Sequence, residues 1–139
     1  ATVRTAVRQL DRVIDLNYYA IPEAKASNMR WRPVGLGLMG LQDVFFQMRV
    51  PFDSEVAREV SRRISEEVYF HALVTSNELA LEKGAHAAFA ETRAARGELQ
   101  FDAWGVTPAD AERWSRLRAQ IQTSGLRNSL IVAIAPTAT

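Results

Sequence analysis

The chain has 139 residues, with 17 lysines and arginines against 16 aspartates and glutamates, so its formal net charge is +1. Hydrophobic residues make up 47% and charged residues 24%, which excludes a disordered tail, a collagen-like repeat and a strongly basic nucleic-acid-binding arm. The sequence contains no cysteine, which excludes disulfides, thiolate zinc sites and cysteine-based catalysis within the chain. No stretch approaches the ~20 apolar residues of a membrane span, and no signal-peptide core is present. We therefore expect a cytoplasmic protein that contacts neither a membrane nor nucleic acid.

Apolar residues spaced by three and four predict an amphipathic helix over Thr2–Leu16, with charged residues such as Asp11 between the apolar positions. A second helix is expected over 41–49 and a long one over 53–83, where aspartate and serine are good N-cap residues. A further helix is expected over 107–125, because Thr-Pro followed by an acid is a strong helix start and glycine a natural end.

The long helix would extend about 45 Å at 1.5 Å per residue, so it either belongs to a larger body or breaks near residues 75–77. The polar stretch 24–32 is expected to be a loop of weak helical character, and residues 85–105 a long connection.

Two apolar runs predict strands. One covers 34–38 and the other covers 129–135, where the apolar run is typical of a strand buried on both faces. The predicted fold class is therefore α/β and predominantly helical. Because two strands do not make a stable sheet, we expect the chain to be part of a larger architecture.

Gly35, Gly37 and Gly40 match the pattern G-x-G-x-x-G between a predicted strand and a predicted helix. Such glycines can let a backbone approach the pyrophosphate of a dinucleotide. The acids about 20 residues further on, Glu55 and Glu59, fall in a helix rather than at the end of a second strand. The pattern therefore favours a structural role, in which the glycines permit close strand–helix packing.

The last residues, Pro136, Thr137, Ala138 and Thr139, follow the second predicted strand. In α/β folds ligands bind at the carboxyl ends of strands. If a helix began after Thr139, its free N–H groups and the two threonine hydroxyls could hold a phosphate. The alternative is a chain end that happens to contain two threonines.

The remaining candidates have simpler interpretations. His71 and His86 are expected to pack or to lie at the surface, and two histidines are too few for a histidine-rich metal site. Trp31, Trp104 and Trp114 are most simply core or interface residues. No catalytic residue and no metal site is expected in this chain.

Several strings together resemble the large (α) subunit of ribonucleotide reductase. They follow the order and spacing of that family and extend over nearly the whole chain. The strings lie at 17–19, 27–28, 32–43, 51–54, 97–102, 125–130 and 135–139.

The resemblance implies that residues 1–139 are part of the second half of a ten-stranded α/β barrel, the catalytic domain of the family. It also implies that the glycine motif is a barrel strand and turn. In the family, the positions matched by Thr137, Ala138 and Thr139, with Pro136 before them, form the loop that cradles the diphosphate of the ribonucleotide substrate.

The resemblance further implies reduction of ribonucleoside diphosphates to deoxyribonucleotides by cysteine-radical chemistry. The radical would come from a di-metal small subunit or from adenosylcobalamin, and this segment would bind no cofactor. Because the chain has no cysteine, companion polypeptides or segments would have to supply the catalytic residues, and the isolated chain is expected to be inactive. Two alternatives remain: a non-catalytic helical interaction module derived from the same scaffold, and a dinucleotide-binding domain that uses the glycine motif.

Overall fold

The computed structural model describes residues 1–136, and within that range the chain forms six α-helices and two short 3₁₀ turns. The helices are α1 (Thr2–Leu16), α2 (Pro22–Trp31), α3 (Leu41–Met48), α4 (Glu55–Lys83), α5 (Gln100–Ala103) and α6 (Ala111–Ser124). The 3₁₀ turns cover Phe89–Glu91 and Ala94–Arg96. None of the helices in this range is both long and apolar enough to cross a membrane.

The predicted α/β fold class is wrong for the described residues, and so is the predicted portion of a ten-stranded barrel. Residues 1–136 contain neither a β-strand nor a sheet. The segments 34–38 and 129–135, predicted as strands, form one isolated parallel bridge between Leu36 and Val132. The physical reason is that a strand requires a continuous ladder, whereas these two segments pair over only a few residues.

The helices with clear apolar periodicity were predicted correctly. Helix α1 has the predicted bounds, and α3 and α4 begin or end within two residues of the expected positions. Ser54 caps α4, since its hydroxyl accepts a hydrogen bond from the backbone N–H of Ala57 at 3.1 Å. Helix α4 runs without a break through residues 75–77 and extends about 44 Å.

Three local predictions differ from the structure. Residues 22–31 form a helix where a loop was expected, because Pro22 occupies the first turn, where its missing N–H costs nothing. The connection 85–105 contains both 3₁₀ turns and α5. Helix α6 begins at Ala111 rather than near Thr107, because the carboxylate of Asp110 is the N-cap and accepts from the Arg113 N–H at 3.0 Å.

The hydrophobic core lies where the C-terminal half of α4 packs between α1 and α6. Trp114 of α6 is 1% exposed and is surrounded by three aromatic rings. The centroids of Tyr69, Phe70 and Phe101 lie 5.7, 5.0 and 4.8 Å from its own. The other large buried side chains of this core include Val7, Leu79, Leu117 and Ile121. The aromatic group therefore holds α6 and α5 against α4.

Glu66 of α4 joins the start of α6 to the same core. Its carboxylate accepts from the Trp114 indole N–H at 3.0 Å, from the Ala109 N–H at 3.0 Å and from the Arg113 guanidinium at 3.4 Å. Burial raises the pKa of Glu66, but these hydrogen bonds to its charged form outweigh that effect, and the pKa is lowered.

Candidate functional site

Two chain segments lie side by side in parallel and lead to the predicted phosphate loop. The N–H of Val34 donates to the carbonyl of Leu130 at 2.9 Å, and the N–H of Leu36 donates to the carbonyl of Ile131 at 2.8 Å. The N–H of Ala133 donates back to the carbonyl of Leu36 at 3.1 Å. We call residues 34–37 and 129–136 the paired segments. Of the predicted loop, Pro136 ends the second segment, and Thr137, Ala138 and Thr139 lie outside the described residues.

Gly35 and Gly37 of the glycine motif lie where the paired segments are close together, and Gly40 lies after them. A β-carbon at Gly35 would lie 3.1 Å from the β-carbon of Ala133, and one at Gly37 would lie only 2.6 Å from the carbonyl oxygen of Ala133. Gly40 precedes α3 with φ +78°, in the left-handed region that favours glycine. The first two glycines therefore permit the close approach, and the third permits the turn into α3.

Two single substitutions at these glycines are expected to have different consequences. Gly37→Ala would push against backbone and should lower the free energy of unfolding by about 1–3 kcal/mol, the usual cost of overpacking. Gly35→Ala should cost less, because its contact is with a methyl group. Urea denaturation of each variant measures both effects.

The substitution Ala133→Gly provides the control. It removes the methyl group that Gly35→Ala would meet but leaves the carbonyl oxygen that Gly37→Ala would meet. Adding Ala133→Gly to Gly35→Ala should therefore restore part of the lost free energy of unfolding. Adding it to Gly37→Ala should not. Equal rescue of both would contradict the close approach at Gly37.

A buried group of polar side chains lies at the base of the paired segments, and the sequence analysis did not identify it. We call Asp11, Arg32, Ser76 and Asn128 the polar cluster. Each is at most 3% exposed, although they come from α1, the end of α2, α4 and the chain after α6. Buried polar groups are costly unless they are hydrogen-bonded, so the contacts within this cluster determine whether it stabilises the fold.

Arg32 holds the charged half of the polar cluster. Its guanidinium donates to Asp11 Oδ1 from Nε at 3.0 Å and from Nη2 at 2.9 Å, and it donates to the two oxygens of Asp15 at 2.8 and 3.0 Å. Burial lowers the pKa of Arg32, but the bonds to Asp15 and Asp11 outweigh it and the pKa is raised. The bond from Arg32 is also the main reason that the pKa of Asp15 is lowered. Lys83 and Arg127 lie 3.4 and 3.6 Å from the Asp11 carboxylate.

Asn128 holds the neutral half. Its side-chain amide donates to Asp11 Oδ1 and to the backbone carbonyl of Arg32, both at 3.2 Å. The Ser76 hydroxyl donates to Asn128 Oδ1 at 3.0 Å and accepts from the Asn128 backbone N–H at 3.0 Å. Every polar atom of the Asn128 side chain therefore has a partner.

One signal in the sequence could have revealed this cluster. Asp11 follows Val7 by four residues and precedes Ile14 by three, which places its carboxylate on the buried stripe of α1 rather than on the polar face. A carboxylate in an apolar stripe requires a cationic or hydrogen-bonding partner. Nothing local in the sequence identifies Arg32, Ser76 or Asn128 as those partners.

The other candidates lie apart from this region. His71 is partly exposed and lies 3.4 Å from Glu67, one turn earlier on α4. Trp104 is 71% exposed, whereas Trp114 is in the core. Within residues 1–136 no three histidine, aspartate or glutamate side chains come together in a group that could hold a metal ion.

His86 is 3% exposed, and neither of its ring nitrogens has a hydrogen-bond partner among the described residues. Its ring is close to those of Trp31 and Phe89, with centroids 6.1 and 5.9 Å away. Burial is the main cause that lowers the pKa of His86 below its ordinary value of 6.5.

The free energy of unfolding is therefore expected to fall as the pH drops below about 6.5. In that range the unfolded chain binds a proton at His86 and the folded chain does not, so acid favours unfolding by up to about 1.4 kcal/mol per pH unit. Urea denaturation between pH 7 and pH 5 measures the slope. The variant His86→Leu should reduce the slope, and an unchanged slope in that variant would contradict the explanation by burial of His86.

Comparison with known proteins defines the class to which this arrangement belongs. The family model of the ribonucleotide reductase barrel domain matches residues 1–139, so the chain belongs to that family. Its relatives include the ribonucleoside-diphosphate reductase large subunit of Caenorhabditis elegans, 47% identical over 135 residues, which are 97% of this chain and 17% of the relative. The large chain of Schizosaccharomyces pombe is 46% identical over 98% of this chain and 17% of its own length. The large subunit of Dictyostelium discoideum is 48% identical over 93% of this chain and 15% of its own length. The chain therefore spans about a sixth of the length of these relatives.

Proposed function

We propose that the chain is part of the catalytic subunit of a ribonucleoside-diphosphate reductase and contributes scaffold and the loop that binds the substrate diphosphate. The family match over residues 1–139 is the observation that carries this proposal. The names of the relatives identify them as large subunits of that enzyme. The enzyme that contains this chain would reduce ribonucleoside diphosphates to deoxyribonucleotides in the cytoplasm.

The proposed loop is Pro136–Thr139. Backbone N–H groups and threonine hydroxyls are donors that suit a diphosphate, and hydrogen bonds to a charged acceptor are the stronger kind. The paired segments support this assignment because their last hydrogen bond, from the Ala133 N–H to the Leu36 carbonyl at 3.1 Å, lies only four residues before Thr137. Only a short length of chain would then have to become ordered around the phosphates when the substrate binds.

The chemical step requires groups that this chain does not contain. It has no cysteine, so a thiyl radical and the thiols that reduce the ribose would come from companion sequence of the large subunit. A radical generator, either a di-metal small subunit or adenosylcobalamin, would supply the oxidising equivalent that forms the thiyl radical. The isolated chain would therefore be inactive.

For the glycine motif we propose a structural role. The carbonyl oxygen of Ala133 occupies the space over Gly37 that a pyrophosphate would have to enter. This close contact supports packing of the paired segments and argues against a dinucleotide site at Gly35, Gly37 and Gly40.

Companion sequence would also cover an apolar surface beside the paired segments. Leu38, Leu130 and Ile134 are 49%, 66% and 93% exposed. Exposed apolar side chains are stabilised when another segment covers them, and large patches of them commonly mark an interaction surface. This exposure supports a role for the chain within a larger subunit, because burial of these side chains would add stability to the assembled enzyme.

The proposal predicts a specific defect in substrate binding. Replacing Thr137 or Thr139 with valine in the complete reductase should raise the KM for ribonucleoside diphosphates by roughly tenfold or more, since each charge-assisted hydrogen bond contributes about 1.5–3 kcal/mol. Steady-state kinetics with the radical generator present measures the change.

A matched control is Thr123→Val on α6, where the hydroxyl only bonds to the Ala119 carbonyl of its own helix at 2.9 Å. That variant should keep the KM of the parent enzyme. If neither Thr137→Val nor Thr139→Val changes the KM, the loop is not the diphosphate site.

A further inference from the structure

We infer that Asn128 is a positioning residue for the diphosphate loop, because its side-chain amide fixes the register in which the paired segments lie. The inference rests on the proposed function of Pro136–Thr139. It goes further in assigning a role in substrate binding to a buried residue that is eight positions before the loop and would not touch the substrate.

The side chain of Asn128 takes part in the hydrogen bonding that joins the two backbone segments. The N–H of Ser129 donates to the carbonyl of Trp31 at 3.1 Å, and the Val34 N–H donates to the Leu130 carbonyl at 2.9 Å. Between these two bonds, the carbonyl of Arg32 accepts from the side-chain amide of Asn128 at 3.2 Å. The side chain of Asn128 therefore supplies the bond that the backbone does not supply at this point.

Ser76 and Asp11 orient the side chain of Asn128. The hydroxyl of Ser76 on α4 makes two hydrogen bonds to Asn128. It donates to the side-chain oxygen Oδ1 and accepts from the backbone N–H, both at 3.0 Å. Asp11 of α1 accepts from the remaining amide hydrogen at 3.2 Å. Since all three residues are fully buried, α1 and α4 leave the amide of Asn128 one orientation in which every polar atom is bonded.

The register of the paired segments determines which of their side chains are buried and where the loop begins. Ile131 is 5% exposed and belongs to the core, whereas its neighbours Leu130 and Val132 are 66% and 39% exposed. A shift of one residue would exchange these environments and would also move Pro136 along the direction of the chain by about 3.3 Å. Donors in the following loop would then miss phosphate oxygens, because a hydrogen bond weakens steeply over a few tenths of an ångström beyond its normal length.

The test uses the complete reductase with its radical generator and cytidine diphosphate as substrate. Asn128→Asp keeps the size of the side chain and the acceptor for Ser76, but removes both amide donors. We expect the KM to rise roughly tenfold while kcat changes by less than about threefold, because binding geometry and not the chemical groups is altered. In hydrogen exchange, the N–H groups of Val34, Leu36 and Ala133 should lose protection.

The double variant Asn128→Asp with Asp11→Asn separates register from charge. It exchanges the two side chains, so the number of charges in the polar cluster is that of the parent protein. Residue 128 still cannot donate to the Arg32 carbonyl, so we expect the KM to stay raised even where thermal stability recovers. Recovery of the KM in this double variant would overturn the inference.

Ser76→Ala is the second variant, for the case in which Asn128→Asp does not fold. It leaves the amide donors of Asn128 in place but removes the group that orients them, so the KM should rise by a smaller factor. The matched controls are Asn28→Asp and Ser61→Ala, whose side chains bond only to a carbonyl of their own helix, at 2.9 and 2.8 Å. Both controls should keep the parent KM.

The outcomes separate this inference from the proposed function. If the KM rises in Thr137→Val and Thr139→Val but not in Asn128→Asp or Ser76→Ala, the loop binds the diphosphate and Asn128 does not position it. If the exchange rates change without a change in KM, Asn128 has a role in stability alone and the inference is wrong. If the threonine variants leave the KM unchanged, the proposed function fails, whatever the exchange rates show.

Discussion

Replacement of Arg32 by methionine is expected to lower the free energy of unfolding by about 3 kcal/mol. The guanidinium is buried and makes four hydrogen bonds to the carboxylates of Asp11 and Asp15. Without it, a fully buried carboxylate at Asp11 loses its main counter-charge. Lys83 and Arg127, at 3.4 and 3.6 Å, offset part of the loss and keep the effect near the lower end of the range for broken buried pairs.

Urea denaturation at pH 7 measures this effect, and the chain offers a matched control. Arg8 of α1 also pairs with two carboxylates, those of Glu78 and Glu82, but at the protein surface. Solvent screens such pairs, so Arg8→Met should change stability little. The backbone at residue 32 has φ +45°, but this does not affect the expected difference in stability. Methionine and arginine both carry a β-carbon and are equally strained there. Equal effects of the two substitutions would show that burial does not strengthen the pairing at Arg32.

Replacement of Trp114 by alanine is expected to cost about 3–5 kcal/mol. The side chain is 1% exposed and the centroids of three aromatic rings lie within 6 Å of its own, so its removal leaves a large cavity in the core. It also removes the indole donor at 3.0 Å from Glu66, which leaves a nearly buried carboxylate with fewer partners.

Two further variants separate packing from hydrogen bonding at this position. Trp114→Phe keeps most of the ring and loses the indole N–H, so it should cost about 1–3 kcal/mol, less than alanine. Trp104→Ala removes the same side chain from a position where it is 71% exposed, and it should have little effect on stability. Thermal and urea unfolding of the three variants checks the order. A large loss in Trp104→Ala would contradict the position of that ring at the surface.

The helices were predictable because their signals are local. The apolar spacing of α1 and α4 and the Ser54 cap lie within one or two turns of the residues that they affect. Helix α2 was missed because its residues show no marked apolar face, and its start depends on Pro22. The start of α6 was placed too early because both Thr107 and Asp110 are good capping residues, and the contact of Glu66 with the Ala109 N–H, from a distant helix, favours the later one.

The strands and the polar cluster could not be predicted correctly because they depend on residues that are distant in the sequence. An apolar run such as 129–135 indicates a buried extended segment, but whether it becomes a strand depends on partners elsewhere in the sequence. The described residues supply one partner segment and so allow only the bridge at Leu36 and Val132. The polar cluster was missed for the same reason, because its members are dispersed from Asp11 to Asn128. The assignment of the loop at 136–139 came from the family resemblance and stays a prediction.

The polar cluster also has a consequence for the order of events in folding. Helical proteins ordinarily fold fast because most of their contacts are between residues close in sequence. Here the bond between Asp11 and Asn128 closes a loop of 117 residues, and that between Ser76 and Asn128 closes one of 52. Closing such long loops lowers the entropy of the chain before the buried hydrogen bonds can form and stabilise the fold. The helices are therefore expected to form and dock first, and the two paired segments to come into register only in the last step.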